Sequence, residues 1–123
     1  MINPSRLRRS FRYAFRGVMI VFKSEQSFRL QLLVAFLVVL CGVLFQIRRF
    51  EWIVLFLLIG SVLSLELINS VFERIMDAFK PRIHPIVRDI KDIMAATVLI
   101  VSCIALLVGL IIFIPYVRVF VLP

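Results

Sequence analysis

The chain is 123 residues long, 63% of them hydrophobic, with a formal net charge of +8. That apolar share lies far above an ordinary soluble domain and marks an integral membrane protein of one domain, residues 1–123, because about three spans and one amphipathic segment use up the length. The positive charge does not indicate nucleic acid here, since basic residues on a lipid-embedded chain set topology and attract anionic head groups.

The N-terminal stretch MINPSRLRRSFRYAFRG has neither the apolar core nor the small-residue cleavage site of a secretory signal, so no removal is expected. Residues 5–27 place Phe11, Ala14, Phe15, Val18, Met19 and Phe22 at helical spacing, with Arg8, Arg9, Arg12, Arg16 and Lys23 on the remainder. This pattern predicts a basic amphipathic helix in the membrane interface, its aromatics in the acyl boundary and its arginines near phosphates.

Three apolar runs follow, over residues 30–47, 52–72 and 93–114, each near the ~20 residues a bilayer needs. IRRFE makes a tight turn between the first two. Pro81 and Pro85 interrupt the segment before the third, where Pro85 suits a first helical turn, and Pro115 is expected to close it. Cys41 and Cys103 lie inside apolar runs with no metal-ligand partner nearby and read as packing residues. Lys and Arg number seven up to Arg29, two in the first turn, five from Arg74 to Lys91 and one, Arg118, at the end. The positive-inside rule then puts the N-terminus and the second loop in the cytoplasm. Without water in the bilayer core, no open sheet survives, so the fold class is all-α: an interfacial helix plus three transmembrane helices.

The second span ends in ELINSVFERIMD, and on a helix Glu66, Asn69, Glu73 and Asp77 point within an arc of roughly 80°. Such a stripe cannot face hydrocarbon, so an oligomer that shields it is expected. Glu66, about one turn inside the boundary, has the setting of a general base. Glu73 lies further out, at a level comparable to Glu25 in KSEQSFR, and two carboxylates at one depth can clamp a magnesium ion against phosphate oxygens. Asn69 can donate to one carboxylate and accept from a ligand. Lys91 can neutralise transferring phosphoryl oxygens. His84 can meet a base or ribose, but a histidine before proline equally suits a turn. Asp77 and Asp92 fit ordinary ion pairs or helix-end contacts as well as a site, and Arg74, Lys80, Arg82, Arg88 and Asp89 read as a solvated loop. Gly17, Gly42, Gly60 and Gly109 are too dispersed for a phosphate-binding loop.

These residues resemble the small bacterial membrane kinases that include diacylglycerol kinase and undecaprenol kinase. The pattern E-x-x-N-[ST]-x-x-E-x-x-x-D is carried by Glu66, Asn69, Ser70, Glu73 and Asp77. A second, H-x(6)-K-D with small residues after it, is carried by His84, Lys91, Asp92, Ala95 and Ala96. Tyr13 and the run Glu25, Phe28, Arg29 also match, and the likeness spans nearly the whole chain. The resemblance implies a homotrimer in the bacterial inner membrane that uses ATP and Mg2+ to phosphorylate a lipid alcohol, with sites shared between subunits. It implies Glu66 as base, Glu25 and Glu73 as magnesium ligands, and Arg6, Tyr13, His84, Lys91 and Asp92 as nucleotide contacts. Val71, Phe72, Ile90, Ile93 and Met94 depart from the family's residues at packing positions. Gln31 stands where the diacylglycerol kinase branch tends to be acidic, and with the His84-Pro85 turn and the SLELIN start this favours undecaprenol over diacylglycerol as substrate. Two readings of another class stand beside it: a small proton-coupled transporter, since buried glutamates also mark proton relays, and a catalytically silent membrane scaffold.

Overall fold

The computed structural model describes residues 3–79 and 85–121, so His84 lies outside the described residues. Four helices account for almost all of it: α1 (Pro4–Ser24), α2 (Gln26–Leu44), α3 (Arg49–Ala78) and α4 (Pro85–Val121). The last three are long and apolar enough to cross a membrane. The protein is an all-α membrane protein, and α3 is its organising element, packing along α4 on one side and against α2 on the other.

Each helix starts or stops for a local reason. At the head of α1, the Asn3 side chain accepts from the Ser5 amide at 3.1 Å, and Pro4 takes the first helical position, where a missing N–H costs nothing. The amphipathic pattern predicted one helix over 5–27, but α1 ends at Ser24 and Glu25 is extended (φ −105°, ψ 117°), which makes a sharp elbow into α2. Arg29, one turn into α2, stabilises the elbow by donating to the last carbonyls of α1, Phe22 at 3.0 Å and Lys23 at 3.1 Å.

The first apolar run was expected to reach residue 47, yet α2 stops at Leu44 and the next helix begins at Arg49, absorbing most of the IRRFE turn. The stop is a Schellman motif: Ile47 N–H donates to the Gly42 carbonyl and Gln46 N–H to Val43, each at 3.2 Å. Gln46 takes the left-handed position (φ 50°) that usually falls to glycine.

Pro115 was expected to end the third span. Instead α4 runs through it to Val121. Proline removes one hydrogen bond from the helix interior, but side-chain contacts hold the segment beyond it. Tyr116 Oη donates to Glu51 Oε2 at 2.6 Å, and the Phe45 ring meets Phe113, Tyr116 and Phe120 at 6.2, 6.3 and 6.5 Å between centroids. The hydrophobic core sits beside this cluster, where Ile47, Leu55 and Ile112 are buried. Helix α4, at 37 residues, spans about 55 Å against a hydrocarbon core of about 30 Å, so hydropathy located its lipid-crossing part but not its ends.

Candidate active site

The polar side chains gather at the end of the bundle opposite that core, where α1, α2 and α3 meet. Glu66 is 3% exposed, deep in α3. Two donors one helical turn apart on α2 reach it: Ser27 Oγ donates to Oε1, and Gln31 Nε2 donates to Oε2 at 3.4 Å. A buried carboxylate is costly without such partners, and here each oxygen has one. Because an ionised carboxylate only accepts, the amide of Gln31 must turn its nitrogen toward Glu66. That leaves Gln31 Oε1 buried with no partner among the described residues, a deficit of about 1–3 kcal/mol.

Gln31 also stands on the wall of an apolar groove of about 420 Å³ among α2, α3 and α4, lined otherwise by residues such as Val34, Leu58, Val62, Leu106 and Phe113. The groove brings apolar ligand surface to within one side chain of Glu66. Nothing in the period of the individual helices signals it, because it exists only where three of them diverge.

One turn further along α3, Ser70 is 1% exposed and donates to Glu25 Oε1 at 3.3 Å. Ser24 Oγ reaches the same oxygen at 3.1 Å, and Arg74 Nη2 stands 4.0 Å from it. Arg74 donates to Ser24 Oγ at 2.6 Å. On the neighbouring face of α3, Asn69 Nδ2 donates to Glu73 Oε1 at 3.3 Å. Lys91 of α4 then pairs with Asp77 at 2.8 Å. The stripe expected on α3 thus divides: Glu66 turns to α2, Asn69 pairs with Glu73 along α3, and Asp77 turns to α4, while Ser70, outside the stripe, reaches the α1–α2 elbow.

No group of three His, Cys, Asp or Glu side chains able to hold a metal occurs among the described residues. Glu25 and Glu73 nevertheless suit a hard divalent ion that takes the rest of its oxygens from phosphate and water, as magnesium commonly does. The described bonds to both carboxylates fall on Oε1. Arg6 and Tyr13 are exposed on α1, which lays Arg6, Arg9, Tyr13 and Arg16 along one face. Asp92 is exposed near the start of α4. None of these three reaches Glu66 within the chain.

Ser24 and Ser27 were not singled out by the sequence pattern, Gln31 only as a mark of branch, and Arg74, expected in a solvated loop, instead lies inside α3 and bonds Ser24, because the helix continues past the apolar run. A serine or glutamine at the head of an apolar helix is an ordinary sight, and only the packing of α2 on α3 reveals its partner. A signal was nonetheless available for one pair: Ser27 and Gln31 are polar at i and i+4, on one face of a helix otherwise apolar from Leu30 onward.

A protein-family model described as prokaryotic diacylglycerol kinase matches residues 12–113. The undecaprenol kinase of Bacillus subtilis (strain 168) is 35% identical over 111 residues, which cover 90% of this chain and 90% of that protein. The diacylglycerol kinase of Synechocystis sp. is 31% identical over 101 residues, covering 81% of this chain and 58% of that longer protein.

Proposed function

The chain belongs to the prokaryotic diacylglycerol kinase family and is a membrane lipid kinase, and within that family we propose that it transfers the γ-phosphoryl group of ATP to undecaprenol, giving undecaprenyl phosphate. The observation that carries the proposal is Glu66, a buried carboxylate held by Ser27 and Gln31 beside an apolar groove. An apolar chain fits such a groove with its hydroxyl toward the polar end, where Gln31 Oε1 lacks a donor.

Glu66 takes the proton of the lipid hydroxyl as its oxygen attacks the γ-phosphorus. The new O–P bond forms in line with the breaking bond to the β-phosphate oxygen, and ADP leaves. Glu25 and Glu73 would hold the magnesium ion that accompanies ATP, and that ion would supply positive charge against the phosphate oxygens. Lys91 of α4, which pairs with Asp77 at 2.8 Å, serves the same task. Arg6, Tyr13, His84 and Asp92 contact the nucleotide. The active protein is a homotrimer in the bacterial inner membrane with the polar end in the cytoplasm, a reading supported by the lysine and arginine count and by the many large apolar side chains exposed on a single chain.

The test is phosphate transfer from labelled ATP in mixed micelles, with undecaprenol and diacylglycerol side by side, with and without magnesium. Magnesium-dependent labelling of undecaprenol is expected. Preferential labelling of diacylglycerol would move the protein to the other substrate, and silence on both from folded protein would overturn the reaction.

A further inference from the structure

Helix α1 is 21 residues long, yet its one buried residue is Val21, close to its end. Its direction is therefore decided at the elbow, where Glu25 is extended: its N–H closes α1 on the Val21 carbonyl at 2.8 Å and its carbonyl accepts the Arg29 N–H at 3.4 Å, but the residue between those two bonds is not helical. Arg29 caps α1 from α2, but both ends of that contact belong to segments joined by the elbow itself. The strongest bond that reaches the elbow from another part of the molecule comes from Arg74 of α3, 50 residues away in sequence.

Two partners compete for the role of its target, and the distances decide between them. Arg74 Nη2 to Ser24 Oγ, at 2.6 Å, is a short charge-assisted hydrogen bond. Arg74 to Glu25 Oε1, at 4.0 Å with the arginine side chain 48% exposed, is at the edge of an ion pair and weakly coupled. The guanidinium therefore acts mainly on Ser24, and through the 3.1 Å bond from Ser24 Oγ to Glu25 Oε1 it acts on the carboxylate as well.

We propose that Arg74 is a positioning residue for the nucleotide side of the site. It ties the α1–α2 elbow to α3, and so sets both the aim of Glu25 and the angle of the helix that carries Arg6 and Tyr13. The role of those three residues rests on the reading given under Proposed function; the tether itself does not. Glu66, by contrast, is held by Ser27 and Gln31 from α2, without help from Arg74. Loss of the tether should therefore separate the two substrates.

The experiment takes the full chain in micelles and compares Arg74→Ala, Ser24→Ala and the double variant. Each single change should raise KM for magnesium-ATP about tenfold, the kinetic size of losing one well-placed bond. KM for the lipid alcohol and kcat at saturating ATP should stay within about twofold of wild type. The double variant should lose no more than either single one, because both remove the same contact. Amide hydrogen exchange over Val18–Ser24 should quicken in all three. An unchanged ATP KM in Arg74→Ala, or additive effects in the double variant, would overturn the assignment. If wild-type protein phosphorylates no lipid, the reaction reading fails, while the exchange measurement still decides whether the tether exists.

Discussion

The two ends of the bundle each bring a glutamate and a hydroxyl together across helices, and they differ in what is left over. At one end Glu51 accepts from Tyr116 Oη and from the Arg48 amide at 2.8 Å, and Tyr116 in turn packs on the Phe45 ring beside the core. At the other, Glu66 accepts from Ser27 and from Gln31, and the amide oxygen of Gln31 has no partner among the described residues beside an open groove. The Glu51 end stands beside the packed core. The Glu66 end opens on the apolar groove, and it is the end to which the proposed function assigns the chemistry.

That contrast breaks most decisively at Glu66. Glu66→Gln keeps the shape, and Gln31 can still pair with it by turning its own amide, but the new amide cannot take a proton, so lipid phosphorylation should fall by about 10²–10⁴-fold with no loss of thermal stability in micelles. A variant that keeps wild-type turnover would remove Glu66 from the reaction.

The next largest effect belongs to the opposite end. A Cβ on Gly42 would lie 2.8 Å from the Trp52 ring and 3.2 Å from Ile47 Cδ1, so Gly42→Val must push apart α2 and α3 where they are tightest. Overpacking of that kind costs about 1–3 kcal/mol, visible as a lower unfolding temperature. The same assay should find Gly60→Ala harmless, since nothing stands within 4 Å of its Cβ position.

Tyr116→Phe sharpens the comparison further. It removes one donor from Glu51 and should lower the unfolding temperature, while phosphate transfer measured at the far end stays unchanged. A drop in activity without a drop in stability would mean that the two ends communicate. The smallest effect is a gain: Gln46→Gly relieves the left-handed turn and should raise stability by about 0.5–1 kcal/mol in the same thermal scans.

Much of this was legible before any fold was known. The apolar runs, the basic amphipathic helix and the carboxylates of α3 are local properties, set by side chains a few positions apart on one helix. Helix ends were less legible, because hydropathy reports where lipid begins and not where backbone hydrogen bonding stops. Pro115 illustrates it: the helix survives the proline because Tyr116 meets Glu51, 65 residues earlier in the chain. A continuous helix through Glu25 satisfies the periodicity, and it fails on the single residue that turns extended.

What the sequence by itself determined is therefore the class of protein, its membrane-crossing segments and the type of chemistry its carboxylates can support. The tertiary structure alone decided which groups answer them: Ser27 and Gln31 for Glu66, Ser70 and Arg74 for the elbow, Lys91 for Asp77. The physical reason is that a hydrogen bond needs two partners within about 3 Å, and partners from different helices come that close only once the helices have packed.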